Sequence, residues 1–204
     1  MNGHKSANSC AFSFALDIWI SMKTVLGFDV SSKTIGWCLL SIDDQKIKFV
    51  EAHYVKPLKD GHIIERLADT RNKIRDIIQE VKPDYIGIEE IIQFMAGGST
   101  AKTIIALTSF NRMVGLLAHD HLGKAPEMFN VMSIRHGLKT GKVLPKKEDM
   151  PKLVAKHLKI KFPYEYVVKG KYKGNIKEES VDVADGIAVA LYYAYVLTGK
   201  ISRK

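Results

Sequence analysis

Residues 24–40 read TVLGFDVSSKTIGWCLL, and this stretch predicts the centre of the fold. Two apolar runs flank a short polar connection, a pattern typical of two buried strands joined by a tight turn. Asp29 ends the first run, and Gly36, near the start of the second, allows another segment of backbone to come close. A carboxylate at the mouth of a central hairpin costs free energy unless it binds a ligand such as a cation or caps the turn. On this stretch alone, the turn cap is the better interpretation.

The length of 204 residues predicts one domain that buries its own core. Residues 1–21 predict an N-terminal extension outside that domain, and the domain itself is expected to span residues 22–204. The apolar run in the extension is too short and too interrupted to cross a membrane. The two cysteines form no disulfide framework, which is typical of a reducing compartment and predicts a cytoplasmic protein.

The charge distribution predicts a polyanionic partner. The net charge is +9 at pH 7, and residues 135–177 hold 13 Lys and Arg residues against 3 acidic residues, so this segment accounts for the whole excess. Nucleic acid is favoured over a membrane surface as the partner, because no basic amphipathic helix stands out. Within the segment, residues 163–177 combine lysines with tyrosines, which suits either contacts with nucleic acid or an exposed β-hairpin.

Hydrophobic periodicity predicts that the rest of the chain has an α/β order. A third antiparallel strand is expected at residues 46–54, and helices and strands alternate after it. Ser133 and Ser180 are expected to be the N-caps of two helices. The remaining expected strands are at residues 85–89 and 128–132, and the expected helices are at residues 62–81, 101–121, 146–158 and 178–197, with a short one around Arg135.

Acidic residues end two predicted strands and begin the last predicted helix. Asp29 and Glu89 are the strand-end acids, and Asp182 and Asp185 lie three residues apart on one face of the helix. If the strands are neighbours, the four carboxylates converge, and such a cluster needs cations to stay ionised. Hard oxygen ligands favour Mg²⁺ or Mn²⁺, and these ions promote hydrolysis of phosphodiesters. Two acids in the first turn of a helix also have a simpler explanation, which is the helix dipole.

Three motifs, GFDVSSKTIGW, GIEE and DVADGIAVAL, occur in this order between residues 23 and 195. They resemble the signatures of the RuvC family of Holliday junction resolvases. The resemblance implies a ribonuclease H-like fold, with a mixed five-stranded sheet (three antiparallel strands, then parallel strands) flanked by helices. It also implies a homodimer that nicks two opposed strands of a four-way DNA junction. The implied ligands of two Mg²⁺ ions, with Mn²⁺ able to substitute, are Asp29, Glu89, Asp182 and Asp185.

The resemblance also implies residues that contact DNA. Arg135, Lys146 and Lys147 match basic residues at the scissile phosphate, and Arg135 and Lys147 are expected to take part in catalysis. Phe94 resembles an aromatic residue that wedges into the junction. Glu90 stands where many members have Gln, so either Glu89 or Glu90 is the ligand, and strand alternation favours Glu89. The other expected DNA-contacting residues are Ser31, Lys33, Lys139, Lys142, Lys169, Lys171 and Lys173.

Residues 163–177 look like an insertion relative to bacterial members and resemble the more divergent phage-type proteins. The expected helix at residues 101–121 is apolar nearly all round, so it must be covered by its own fold or by a twin across a twofold axis. It is the candidate dimer contact.

Other functions compete with this interpretation. Nucleotide-binding proteins of the actin, Hsp70 and sugar kinase group also begin with a hairpin that carries an Asp. They would need a second such hairpin and usually a second lobe, and neither is apparent in this sequence. A ribonuclease H-like nuclease acting on RNA would carry the same acids, whereas an inert junction-binding protein would gain nothing from them.

Overall fold

The computed structural model describes residues 22–91 and 100–202, which form a sheet with helices on both of its faces. The predicted extension at residues 1–21 and the predicted wedge residue Phe94 lie outside the described residues. The strands are β1 (Lys23–Val30), β2 (Ile35–Asp43), β3 (Lys46–Val55), β4 (Tyr85–Glu89) and β5 (Glu127–Phe129). The helices are α1 (Ile63–Val81), α2 (Ala101–Leu122), α3 (Val131–Leu138), α4 (Met150–Leu158) and α5 (Glu178–Leu197).

The strand β1 lies at the centre of the sheet, whose order is β3-β2-β1-β4-β5. The first three strands pair antiparallel, and β4 and β5 extend the sheet in the parallel sense. Parallel neighbours need a crossover connection, and α1 and α2 lie in these connections. The predicted mixed five-stranded sheet flanked by helices is therefore confirmed.

Each face of the sheet is buried under its own layer of helices. Leu26 and Phe28 of β1 pack with α1 and α2 on one face, whereas Val25 packs with α3, α4 and α5 on the other. Because side chains alternate along a strand, Asp29 points to the same face as Val25, toward α5. Burial on both faces explains why β1 reads as a nearly unbroken apolar run.

The helix α5 is a core element of the fold. By length and composition it is the one helix among the described residues that could cross a membrane, yet most of that stretch is buried. Residues 183–194 are buried without interruption. The apolar character of α5 is therefore that of a core helix.

The backbone of α5 comes into direct contact with the β1–β2 hairpin. A Cβ atom on Gly186 would lie 2.7 Å from the backbone carbonyl group of Gly36, and a Cβ atom on Gly36 would collide with the carbonyl of Asp182. Only glycine, which has no Cβ atom, permits this approach. The close approach predicted at Gly36 is thus observed, and the approaching segment is the part of α5 that carries the acids.

Both predicted serine caps are wrong. The cap of α3 is Asn130, whose Oδ1 accepts a hydrogen bond of 2.8 Å from the N–H of Met132, because α3 begins before Ser133. Ser180 lies inside α5, where its buried Oγ accepts a 2.9 Å hydrogen bond from the N–H of Glu165.

The start of α5 also changes the interpretation of its acids. The helix begins at Glu178, so its first turn contains Glu178 and Glu179 rather than Asp182 and Asp185. The helix dipole acts within the first turn and therefore does not account for the later pair.

The helix expected at residues 146–158 is shorter than predicted. Lys147–Asp149 form a 3₁₀ turn, and α4 follows at Met150 with Pro151 in its first turn, where proline is tolerated. Lys147 therefore lies in a turn just before a helix.

Residues 163–177, which we call the arm, form a loop rather than a regular β-hairpin. A single antiparallel bridge joins Tyr166 and Ile176. The base of the arm is attached through Glu165, which accepts hydrogen bonds from the hydroxyl of Tyr54 (3.2 Å) and from Nζ of Lys177 (2.7 Å). The arm is thus tied to the end of β3 and to the start of α5.

Candidate active site

Two parallel strands bring Asp29 and Glu89 to the same edge of the sheet. Asp29 is the penultimate residue of β1, and Glu89 is the last residue of β4. The register pairs Phe28 with Ile88, so the acids follow at adjacent positions and point to the same face, toward α5. Glu90 comes one residue later and is exposed. The structure therefore puts Glu89 rather than Glu90 beside Asp29.

The helix α5 adds Asp182 and Asp185, which share one of its faces. One carboxylate oxygen from each of Asp29, Asp182 and Asp185 lies within 4.8 Å of the other two, and we call these residues the carboxylate trio. Glu89 is not a member at that spacing. Its charge nevertheless raises the pKa of Asp29, and the charge of Asp185 raises the pKa of Glu89. The fold thus brings the four predicted acids into one region.

Burial and mutual repulsion raise the pKa values of Asp29, Glu89 and Asp185. Burial raises the pKa of Glu89 to about 7, and the Asp185 carboxylate adds to the rise. Burial also raises the pKa of Asp185 to about 6, against the opposing effect of Lys147. The pKa of Asp29 is raised well above its usual range by burial first, and then by Glu89 and Asp185. A positive charge at this position would therefore stabilise the ionised acids.

Lys147 supplies part of that positive charge. Its Nζ donates a 3.0 Å hydrogen bond to Oδ1 of Asp182 and lies 3.4 Å from Oδ2 of Asp185. Burial disfavours the ammonium form, but Asp185 and Asp182 outweigh this effect and raise the pKa of Lys147. Arg135 on α3 is a second nearby cation, because its charge lowers the pKa of both Glu89 and Asp185. The two basic residues expected to take part in catalysis therefore both lower the pKa of Glu89 and Asp185.

The residues present fit a divalent cation. The carboxylate trio offers oxygen ligands only, which Mg²⁺ and Mn²⁺ prefer. A bound cation would lower these raised pKa values and stabilise the ionised carboxylates. In addition, Nε of Arg135 is buried without a hydrogen-bond partner among the described residues, so it lacks the partner that buried donors nearly always have.

The expected DNA-contacting residues differ in how free their side chains are. The hydroxyl of Ser31 donates to the carbonyl of Thr34 (2.7 Å) and accepts from its N–H (3.0 Å), so it shapes the β1–β2 turn. The lysines, by contrast, are exposed. They comprise Lys33 in that turn, Lys139, Lys142 and Lys146 between α3 and the 3₁₀ turn, and Lys169, Lys171 and Lys173 in the arm.

Two residues outside the sequence-predicted site contact the backbone beside the strand-end acids. Arg66 on α1 donates from Nη2 to the carbonyl of Ser32 at 2.6 Å, just after Asp29. Asn111 on α2 donates from Nδ2 to the carbonyl of Glu89 at 2.9 Å. Periodicity assigns Arg66 to an ordinary polar face, so no sequence signal identifies it. A lone amide within an apolar helix, however, is a signal that could have identified Asn111.

The family model described as "Crossover junction endodeoxyribonuclease RuvC" matches residues 25–193. This chain belongs to the RuvC family. RuvC proteins are hydrolases that act as endodeoxyribonucleases, so the chain is a nuclease rather than a member of the competing nucleotide-binding group. A RuvC-like nuclease uses a divalent metal, and the carboxylate trio is the candidate site for it among the described residues.

Curated RuvC relatives cover most of the chain at low identity. The crossover junction endodeoxyribonuclease RuvC of Fusobacterium nucleatum is 24% identical over 178 residues, which is 87% of this chain and 83% of the relative. The RuvC of Helicobacter acinonychis is 23% identical over 170 residues, which is 83% of this chain and 95% of the relative. The similarity to RuvC thus spans most of the length of these proteins.

Solved structures of junction resolvases share the fold. Thermus thermophilus RuvC, in complex with a Holliday junction substrate, has a TM-score of 0.64 and 16% identity, covering 87% of this chain and 96% of that chain. The yeast mitochondrial Holliday junction resolvase has a TM-score of 0.54 and 17% identity, covering 83% and 77%. The ribonuclease H-like fold implied by the sequence motifs is therefore confirmed.

Proposed function

We propose that this chain resolves four-way DNA junctions by hydrolysing phosphodiesters, in recombination, in repair or in the processing of phage DNA. The observation that carries the proposal is the convergence of the carboxylate trio with Lys147 in a RuvC-family chain. Clustered acids repel a polyanion, so a protein that only binds junctions would gain nothing from them. The basic segment at residues 135–177 provides the complementary surface for DNA.

Each site residue has a role in this proposal. The carboxylate trio holds the cation, and Glu89 completes the set of ligands. Mg²⁺ is the expected ion, two per site, and Mn²⁺ is expected to substitute. A divalent cation there supplies charge neutralisation and Lewis acidity for hydrolysis. Lys147 and Arg135 bind oxygens of the scissile phosphate through their ammonium and guanidinium donors.

A panel of substrates tests the proposed function. With Mg²⁺, we expect a four-way junction to be cut at least about tenfold faster than a three-way junction, a flap or a linear duplex, because roughly 1.4 kcal/mol of selective stabilisation gives that ratio. Gel assays with end-labelled strands measure the rates, and a chelator should abolish all of them. Equal rates on every DNA, or faster cutting of an RNA–DNA hybrid, would exclude a junction-selective enzyme.

The position of the arm supports a role in binding DNA. Asp29 pairs with Gly36 across the hairpin, and Gly36 pairs in turn with Tyr54 of β3. Neighbouring strands are about 5 Å apart, so Tyr54 lies about 10 Å from Asp29 along the sheet. Because Tyr54 is hydrogen-bonded to Glu165, the base of the arm lies at the same edge of the sheet as the acids. DNA that reaches the acids therefore comes close to the arm.

The side chains of the arm suit a nucleic-acid strand. Lys169, Lys171 and Lys173 are exposed, and residues 166–177 contain no acidic residue. Tyr172 is 62% exposed and lies under the ammonium of Lys171, at 5.8 Å from the ring centroid. Lysines neutralise phosphates and an exposed ring can stack on an unpaired base. The arm is thus proposed to bind the DNA backbone beside the cut.

A triple substitution tests the arm. Changing Lys169, Lys171 and Lys173 to Gln is expected to lower the slope of log affinity against log salt by about 2–3, because each phosphate contact contributes about 0.9. Fluorescence anisotropy on a four-way junction at several salt concentrations gives the slope. The matched control changes Lys46, Lys82 and Lys124 to Gln, since these exposed lysines lie at the opposite edge of the sheet. Equal slopes for the two triple variants would show that the arm does not contact DNA.

We propose α2 as the contact with a second copy of the chain, because it exposes two large apolar side chains on one face. Ile105 is 64% exposed and Leu116 is 66% exposed. They are eleven residues apart, close to three helical turns, so they lie on the same face. Resolution of a four-way junction needs two symmetric cuts, and a twofold dimer provides two sites. We therefore propose a homodimer that packs through α2.

A charge placed at Leu116 tests the dimer. Leu116→Asp is expected to yield monomers, because an unpaired carboxylate is costly to bury in an apolar interface. Light scattering measures the mass, and a cruciform plasmid reports paired cuts as linear product and single cuts as nicked circles. Ile64→Asp on α1, where Ile64 is 61% exposed, is the matched control. A dimeric Leu116→Asp protein that still yields linear product would exclude the α2 interface.

The cellular setting follows from the proposed substrate. The curated RuvC relatives are bacterial proteins. We propose that this chain acts on DNA in the cytoplasm of a bacterial cell, as a bacterial or a phage-encoded protein.

A further inference from the structure

Asn111 is a buried amide on α2, a helix that packs on the sheet mainly through apolar side chains. It is 1% exposed, and Phe110 and Val114 beside it are fully buried. Its Nδ2 donates a 2.9 Å hydrogen bond to the backbone carbonyl of Glu89. Buried polar groups nearly always have a partner, and here the partner is the backbone of a candidate site residue on another element.

This contact occurs where β4 leaves the sheet. The pairing of β1 with β4 ends at Phe28 and Ile88, one residue before Glu89. On the other side, the N–H of Glu90 donates to the carbonyl of Phe129 at 2.8 Å. The backbone at Glu89 is therefore held by β5 from one side and by the amide of Asn111 from the helix layer.

A parallel contact exists at the end of β1. Arg66 donates to the carbonyl of Ser32, in the turn after Asp29, and its guanidinium lies 5.5 Å from the ring centroid of Phe110, the neighbour of Asn111. The helices α1 and α2 thus contact the backbone beside both strand-end acids, from the face of the sheet opposite to α5.

We propose that Asn111 is a positioning residue for the nuclease reaction, which sets the place of Glu89 relative to the carboxylate trio through the Glu89 carbonyl. It contacts the backbone of Glu89 and acts on the reaction through that residue. The inference rests on the proposed function, because it requires that Glu89 works together with the trio. Hydrogen bonds that orient metal ligands have large effects on metal affinity and activity when they are removed.

The amide contributes less to folding than its burial suggests. Oδ1 of Asn111 is buried and has no hydrogen-bond partner among the described residues. An apolar side chain of similar volume avoids that desolvation and packs in the same place. Stability alone therefore does not favour Asn at this position, whereas the contact with Glu89 does.

The test compares Asn111→Leu, which removes the donor at similar volume, with Thr70→Val. Thr70 is fully buried, and its Oγ1 donates to the carbonyl of Arg66 within α1 at 2.8 Å, so the control loses a buried donor away from Glu89. Three quantities are measured for each variant: single-turnover cleavage of a four-way junction, junction affinity with Ca²⁺, and Mn²⁺ affinity without DNA by electron paramagnetic resonance.

Asn111→Leu is expected to cleave about 10–100-fold more slowly and to bind Mn²⁺ about tenfold more weakly, with junction affinity within about twofold of wild type. Thr70→Val should match wild type in all three, and Asn111→Gln, which keeps the amide donor, should retain more activity than Asn111→Leu. If Asn111→Leu does not fold, Asn111→Ser replaces it, because the Ser side chain is too short to reach the carbonyl. The same slower cleavage and weaker Mn²⁺ binding are expected.

Cleavage and Mn²⁺ affinity of Asn111→Leu that equal those of Thr70→Val would overturn the positioning role. A wild-type protein that cuts no junction would instead refute the proposed function, and the Mn²⁺ measurement would still test the link between Asn111 and the acids.

Discussion

Asp29→Asn is expected to abolish Mg²⁺-dependent cleavage of a four-way junction while junction binding persists. Asn keeps the shape of the side chain but removes the negative charge that β1 contributes to the carboxylate trio. We expect the cleavage rate to fall about a thousandfold or more, which corresponds to roughly 4 kcal/mol of lost transition-state stabilisation. Single-turnover assays measure the rate, and gel shifts in chelator measure binding.

Binding should persist because Asp29→Asn leaves every lysine proposed to contact DNA in place and charged. The matched control is Asp44→Asn, since Asp44 is an exposed residue in the turn between β2 and β3 and its φ of 55° suits Asn. Asp44→Asn should cleave like wild type. Near-normal cleavage by Asp29→Asn would exclude Asp29 as a metal ligand, and equal loss of binding and cleavage would indicate misfolding.

Glu89→Gln is expected to have opposite effects on activity and on stability. Cleavage should fall, because Glu89 completes the proposed ligand set. The metal-free protein, however, should become more stable at pH 8, by about 1–3 kcal/mol or roughly 3–10 °C in Tm. The reason is that burial and Asp185 raise the pKa of Glu89 to about 7, so its ionised form is disfavoured in the folded state.

The pH dependence follows from the direction of that shift. A Glu side chain in the unfolded chain has a pKa near about 4.3. Below that pH both states hold the proton, and Glu89 has no effect on the free energy of unfolding. As the pH rises from about 4 to about 7, the unfolded state releases the proton first, so the folded state loses stability until the loss levels off above pH 7. Glu89→Gln should remove this decline.

Calorimetry in chelator between pH 5 and pH 8 checks this prediction. Glu90→Gln is the matched control, because Glu90 is the exposed neighbour and should show no gain. Added Mg²⁺ should stabilise the wild type more than Glu89→Gln, since the wild type keeps the full ligand set. Two results would contradict this prediction. One is a Glu89→Gln protein that is less stable than wild type at pH 8, and the other is a gain in stability at pH 5 as large as the gain at pH 8.

Much of the fold could be predicted because its signals are local. The buried strands β1, β2 and β4 appear as apolar runs bounded by turns, and α1 and α2 appear as periodic apolar patterns. The convergence of the acids required only one further assumption, that β1 and β4 are neighbours, and the parallel pairing of Phe28 with Ile88 satisfies it.

The errors arise where distant contacts decide the local structure. Ser180 resembles an N-cap by sequence, but its hydroxyl accepts a hydrogen bond from the N–H of Glu165, and α5 starts earlier. Arg66 reads as a solvent-facing residue, but it reaches the turn after Asp29, whose position depends on the whole sheet. Such contacts are between residues far apart in sequence, so no pattern within a short window contains them.

The order of the elements along the chain has a consequence for synthesis on the ribosome. Asp29 belongs to the first strand and Asp185 to the last helix, with about 150 residues between them. At about 5–20 residues per second, α5 is translated roughly 8–30 s after β1. A nascent chain that has not yet reached α5 lacks two of the proposed metal ligands, Asp182 and Asp185, so we expect it to cut no DNA.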